Sequence, residues 1–292
     1  MAADHRIDAE AGLVADGLRS FRSPPGAAGA NAVAPRENAL GSFLAHPLTL
    51  RIFSAVLFCL AWEWAGRVPI SPAFPTFSAT MGALWSMIAD LSLIKAFGIT
   101  LQPLVLGLVI STLLGVALGV AMGLNKAFEW FASPIFIIAQ AAPLAALIPL
   151  IVFAYGIGLA AKTLVVYIMA MPVIVLNSFA AVRHTPISLV EMGRSFLASH
   201  RQVILKVILP SASPVIFAGL RLGCAAGFIG AILAELLITP TGIGDLITFN
   251  RSKARYPEMY AAILSIIVFS VLFIEALERA EVMFRPEKRR SS

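Results

Sequence analysis

"EMGRSFLASHRQVILKVILP", residues 191–210, is a charged, helix-patterned stretch set between two long apolar runs. It opens on Glu191, carries Arg194, His200, Arg201 and Lys206, and closes on Pro210. Two start signals punctuate the region. Thr185-Pro186 places a threonine at a cap and a proline in the first turn, where its missing N–H costs nothing. Ser199, followed three residues later by Gln202, spells a capping box. The spacing predicts two short helices, about 186–197 and 200–209, with Pro210 marking the entry to the next apolar run. Leu189, Met192, Phe196 and Val203 fall at three- and four-residue steps and predict an apolar stripe, with Glu191, Arg194 and Arg201 off it. Glu191 is expected near the start of its helix, where the dipole favours an anion. Such a segment fits either a loop resting on lipid headgroups or a rigid knob held by another protein. Its mixed charge favours the knob, because a headgroup-binding helix is more uniformly basic.

The rest of the chain explains the setting. Of 292 residues 59% are apolar and 13% charged, and the mean hydropathy is +0.88. A soluble domain carries about 25% charged residues, so the composition is that of a membrane protein. The net charge of +6 is spread over tails and loops, with no basic stripe of the kind that binds nucleic acid. Cys59 and Cys224 both lie in apolar segments and imply no disulfide framework. Residues 1–45 are rich in Ala, Gly and Pro with mixed charge, and no apolar core precedes Leu48. They read as a disordered cytoplasmic tail without a cleavable signal peptide. The membrane domain is then 46–284, with a loop at about 183–210, and 285–292 form a basic tail.

About 20 apolar residues cross a bilayer as a helix. Six candidate spans emerge: 49–66, 97–123, 131–154, 160–182, 212–238 and 257–278. Glu63, flanked by Trp62 and Trp64, interrupts the first near an interfacial end. Gly115, Gly119 and Gly123 share one face of the second, where a neighbouring helix can approach closely. Pro143 and Pro149 bracket an expected kink in the third. With both termini on one side, that side collects twelve Lys and Arg residues against six on the other: Arg67, Lys95, Lys162, Arg251, Lys253 and Arg255. The excess places both termini, and the opening segment, in the cytoplasm. On the outer side, 78–91 reads as a surface helix capped by Ser78, and 239–259 as a packed or binding loop.

Polar groups at membrane depth persist only with partners or water. Gln140, Tyr155, Asn177 and Arg221 are the candidates for a translocation pathway. Arg221 and Glu235 lie 14 residues apart, about 21 Å along a helix, so each needs a partner on another element. Glu235, near the outer end, reads as structural or solvated. There is no G-x-x-x-x-G-K-[ST] phosphate cradle, no H-E-x-x-H pair, and all four histidines lie in tails or loops. The chain therefore reads as no enzyme and no metal protein. A stand-alone channel or secondary transporter is the alternative, opposed by the lack of an inverted repeat and the few intramembrane charges.

The opening stretch resembles the EAA loop in permease subunits of bacterial ATP-binding-cassette importers. That motif has a glutamate, two small residues, a glycine six positions after the glutamate, and a Leu-Pro ending thirteen after that glycine. Glu191, Gly193 and Pro210 match it, and Met192 takes the first small position. Leu197 stands where the glycine belongs. A left-handed turn there costs a leucine about 1–2 kcal/mol, so the turn is expected to shift to Ala198-Ser199 or change geometry. "SPIFIIAQAAPLAALIPLIVFAYGIG", "GLRLG" and "AELLITPTGIGDLI" are similar to segments of the nitrate, sulfonate and taurine branch, and the likeness runs over about 45–285.

The resemblance implies an all-α polytopic membrane protein of about six helices, with the type I importer (MetI-like) fold, in a bacterial inner membrane. It implies a second copy of the chain as a homodimeric pathway, two ATP-binding subunits and an extracytoplasmic solute-binding protein. This chain would bind no cofactor, with ATP and Mg held by the ATPase. Glu191, Met192, Gly193, Arg194, Phe196 and Leu197 would form the ATPase-coupling contact. The implied solutes are nitrate, sulfonates, taurine or pyrimidine-type vitamin precursors.

Overall fold

The computed structural model describes residues 47–284, apart from 69, 70, 72, 239 and 240. The expectations for 1–45 and for the 285–292 tail lie outside the described residues. Residues up to Leu57 form one unit and those from Phe58 a second, and all packing reported below lies within the second.

The described elements are helical: α1 (Pro47–Arg67), α2 (Phe77–Ala89), α3 (Ser92–Leu124), α4 (Lys126–Ala141), a 3-10 turn (Leu144–Leu147), α5 (Ile148–Tyr155), α6 (Leu159–Arg183), α7 (Ile187–Ser195), α8 (His200–Leu237), α9 (Ile243–Ser252) and α10 (Tyr256–Phe284). α1, α3, α6, α8 and α10 are long and apolar enough to cross a bilayer. Helices α4 and α5 make a sixth crossing if the bent pair is taken as one, as the expectation of about six requires.

Helix α6 is the axis, with α3 on one flank and α8 on the other. Glycines allow this. A Cβ on Gly107, Gly119 or Gly123 of α3 would stand 2.6 Å from Val166, 2.5 Å from the Val175 carbonyl or 2.6 Å from Val182. On α8, Gly219, Gly223, Gly227 and Gly230 press Asn177, Ile174, Val166 and Met169 from the other side. The glycine face read from α3 is thus a contact, and α8 carries a second one. Apolar liquid gives helices no hydrophobic reason to associate, so close backbone approach supplies the attraction. Gly119→Leu should destabilise the fold by about 1–3 kcal/mol, because the obstructing atom is backbone. Gly82→Leu, with nothing within 4 Å of its Cβ, should leave the melting temperature in detergent unchanged.

Three expectations need correction. The third span is not one kinked helix: α4 and the segment 144–155 meet at 88°. Pro143 makes the break, since a residue before proline is pushed to extended backbone and Ala142 has ψ 147°. Pro149 sits in the first turn of α5, where it breaks nothing. The outer surface helix is capped by Thr76, whose hydroxyl accepts from the Ala79 N–H, and not by Ser78. Ser78 instead donates its N–H and hydroxyl to Glu63 at 2.9 and 3.1 Å, so α1 places a carboxylate at the N-terminus of α2. Third, Pro210 does not mark a boundary. The second short helix runs straight into span five through a π-helical turn at Ile204–Ile208. That wider turn directly precedes the proline, which has no N–H to give to the helix ladder. α8 is therefore one helix of 38 residues, about 57 Å long.

Candidate functional site

Helix α7 and the first turns of α8 form a knob at one end of the bundle. Thr185 does not cap it, because its hydroxyl donates back to the Ala181 carbonyl, and Pro186 supplies the N-cap position. The capping box at the second helix forms as its spelling demands. Gln202 N–H donates to Ser199 Oγ at 3.4 Å, and Ser199 N–H donates to Gln202 Oε1 at 2.8 Å.

The turn between the helices holds the main departure from expectation. Leu197 takes the left-handed conformation itself, at φ 56°, and the turn does not shift. Ala198 N–H reaches the Gly193 carbonyl at 3.2 Å and Leu197 N–H the Arg194 carbonyl at 2.8 Å. That pair of bonds is a Schellman motif, with leucine in the position glycine usually fills. Two satisfied carbonyls and the rigid entry to α8 outweigh the local steric cost.

The apolar stripe divides. Val203 is buried and Leu189 half-buried, whereas Met192 is 51%, Phe196 81% and Leu197 93% exposed. Glu191 is exposed in the middle of α7 and not in its first turn, so the helix dipole does not explain it. Gly193 is buried, and the Cβ it lacks would meet Val207 at 3.4 Å and Val203 at 3.6 Å. At Gly193 helix α7 packs on Val203 and Val207 of α8, while Phe196 and Leu197 remain exposed. Glu191, Arg194, Phe196 and Leu197 share the free surface of a small, doubly capped body.

At the opposite end lies a buried ion pair that the sequence reading missed. Lys162 Nζ stands 3.0 Å from Glu235 Oε1, with side chains 5% and 1% exposed. Thr100 Oγ1 donates to Glu235 Oε2 at 2.9 Å and accepts the Ile243 N–H at 3.0 Å. Gly244 N–H donates to Glu235 at 3.2 Å, and Lys162 donates to Thr241 Oγ1 at 2.8 Å. Four elements meet on one carboxylate: α3, α6, α8 and the strap leading into α9. The strap approaches this closely because Gly242, at φ 86°, and Gly244 have no Cβ to collide with Glu235. Glu235 is therefore structural and not solvated, and Lys162 is a core residue, not an outer-surface charge. The signal was available: Glu235 needed a cation at its own depth, and Lys162 opens the neighbouring span.

Of the pathway candidates, Gln140 and Tyr155 are both exposed, on either side of the α4–α5 bend. Asn177 is half-buried, donates to the Val173 carbonyl at 2.8 Å, and is covered by Gly219. Arg221 pairs with Glu281 at 2.6 Å and Glu278 at 3.6 Å on α10. Arg221 ties α8 to α10, Asn177 bonds within α6 and packs on Gly219 of α8, and neither is brought beside Gln140 or Tyr155 by these contacts.

The family model described as "Binding-protein-dependent transport system inner membrane component" matches residues 111–290. The riboflavin transport system permease protein RibX of Chloroflexus aurantiacus is 31% identical over 245 residues, covering 82% of this chain and 90% of that protein. The taurine transport system permease protein TauC of Escherichia coli is 30% identical over 246 residues, covering 81% and 90%. Among solved structures, an amino acid ABC transporter matches with a TM-score of 0.56 at 18% identity, covering 70% of this chain and 98% of that one. The inward-facing MetNI methionine ABC transporter matches with 0.51 at 20% identity, covering 61% and 91%. These two likenesses speak for the fold alone. The chain belongs to the family of binding-protein-dependent transport system inner membrane components, and it is a transport permease rather than an enzyme.

Proposed function

We propose that this chain is the membrane-embedded subunit of an ATP-driven importer and that the α7 knob is the handle its ATPase grips. The observation that carries the reading is the exposed apolar tip, Phe196 and Leu197, on a body fixed by a Schellman turn and a capping box. Two adjacent exposed apolar side chains, one of them a leucine at 93% exposure in a left-handed conformation, make sense as a contact for another protein. Glu191, Met192, Gly193 and Arg194 complete the contact. ATP and Mg belong to that partner, since the sequence has no phosphate cradle.

The reading extends to two copies of the chain lining the pathway, two ATPase subunits, and an extracytoplasmic solute-binding protein. Both termini and the knob face the cytoplasm. Removing buried Lys162 from the outer charge tally strengthens the asymmetry that supports this. The solute is a small sulfonate, taurine, nitrate or similar molecule, in keeping with the systems named for the relatives. Gln140 and Tyr155, exposed beside the bend, are the pathway residues of this reading, and Arg221 and Asn177 are helix-joining ones.

Mechanically, the knob and span five are one object, because α8 is unbroken from His200 to Leu237. When the ATPase pair closes, a pull on α7 tilts a lever about 57 Å long. Arg221 carries α10 along through Glu278 and Glu281. In this reading the α4–α5 break, an 88° bend, accommodates that tilt. Glu191→Arg should reduce ATPase co-purification and solute uptake at least tenfold, an effect of about 1.4 kcal/mol or more, with an unchanged melting temperature. Undiminished association and uptake in that variant would refute the assignment. Uptake by the purified chain without an ATPase would instead favour a stand-alone channel.

A further inference from the structure

Helix α9 is anchored along one face. Ile243, Gly244, Ile247 and Asn250 are buried, the apolar pair among Met87, Leu93, Ala96, Ala261 and Ala262. The helix starts on the Glu235 carboxylate and ends in a second glycine-free Schellman turn. Ala254 lies at φ 54°, Arg255 N–H reaches the Asn250 carbonyl at 2.9 Å, and Ala254 N–H reaches the Arg251 carbonyl at 3.1 Å. Both ends are therefore fixed. The fixed turn presents Arg251, Lys253 and Arg255 side by side, all exposed, and among the described residues none of the three is in an ion pair. The 38 residues of α8 put this turn at the opposite end of the bundle from the α7 knob.

On the proposed orientation these are outer-side cations, held against the charge bias that orients membrane proteins. A flexible loop would let them seek carboxylates or headgroups. Here the turn is locked by its backbone hydrogen bonds and the three side chains are exposed, Lys253 with its ammonium 6.0 Å from the Phe249 ring centroid. We infer that the Arg251–Lys253–Arg255 turn is the electrostatic docking surface for an acidic face of the solute-binding protein. The inference rests on the importer reading, and on the binding-protein dependence by which the family is described. Three clustered charges of one sign steer an oppositely charged partner and raise its encounter rate by about tenfold or more, an effect that salt screens.

The test uses the whole transporter, this permease with its ATPase, in liposomes of neutral phosphatidylcholine. The readout is ATPase stimulation titrated with its solute-binding protein. The triple variant Arg251→Glu, Lys253→Glu, Arg255→Glu should raise the half-saturating concentration about tenfold at low salt, with the fully stimulated rate within about twofold of wild type. The wild-type half-saturation should climb with salt, and that of the variant should not. An unchanged half-saturation with a normal melting temperature overturns the docking surface alone. So does a defect that appears only when anionic phosphatidylglycerol is present, which assigns the cluster to lipid headgroups. A wild-type transporter that no binding protein stimulates overturns the importer reading and this inference together. If the triple variant melts early, Lys253→Glu alone is measured in the same titration and must raise the low-salt half-saturation by about twofold or more and weaken its salt dependence; no change overturns the docking surface.

Discussion

Lys162→Ala is expected to destabilise the protein by about 3–5 kcal/mol, because it breaks a buried ion pair by removing one partner. Removing the ammonium leaves the Glu235 carboxylate 1% exposed, with hydroxyl and amide donors but no counter-charge. Glu235→Ala should cost a similar amount, for it strands Lys162 and also withdraws the acceptor that holds Gly244 N–H and the Thr100 hydroxyl. The double variant Lys162→Met, Glu235→Leu should recover most of the loss, because apolar side chains of similar volume replace a buried pair at little cost. Recovery should stop short of wild type, since the Gly244 N–H then lacks its acceptor and a buried orphan donor costs about 1–3 kcal/mol. Thermal or denaturant melting in mild detergent measures all three. If the double variant falls as far as the two single variants, restoring apolar volume does not replace the pair, and the loss is not the cost of an unpaired buried charge.

The second large effect is functional. Phe196→Asp with Leu197→Asp should abolish ATPase association while leaving the fold intact, because neither side chain contributes much buried surface: Phe196 is 81% and Leu197 93% exposed. Leu197→Gly separates stability from contact. Glycine takes φ 56° without steric cost, so this variant should melt at the same or a higher temperature, by about 1 kcal/mol after the entropy of glycine is counted. It should nevertheless associate more weakly with the ATPase, because the apolar tip is gone. A gain in stability together with a loss of coupling is an outcome that a purely structural role for Leu197 does not produce.

The legible parts of this fold were those written in local patterns. Apolar run lengths located the spans, the Ser199–Gln202 spelling located a capping box, and the four-residue glycine steps on α3 located a helix contact. The misses came where distant contacts decide. Nothing local distinguishes Lys162 in the core from Lys162 at a surface; only Glu235, 73 residues away, makes the difference. Pro210 looked like a stop because proline ends most helices, yet the π-helical turn before it lets α8 continue. Leu197 looked too costly for a left-handed turn, but the cost is local and the two Schellman bonds set against it depend on the whole knob. The coupling surface was half legible for the same reason: the motif named its residues, and only the packing of α7 on α8 shows which are buried and that Phe196 and Leu197 stay exposed.

The central claim is that an ATPase holds this protein by the α7 tip. The most direct measurement places a photo-crosslinking amino acid at Leu197, and separately at Trp85, an exposed residue on α2 at 74%, in the assembled transporter. A covalent adduct is expected between position 197 and the ATPase subunit, and none from position 85. Adducts from position 197 only to lipid, with the ATPase recovered unmodified, would contradict it.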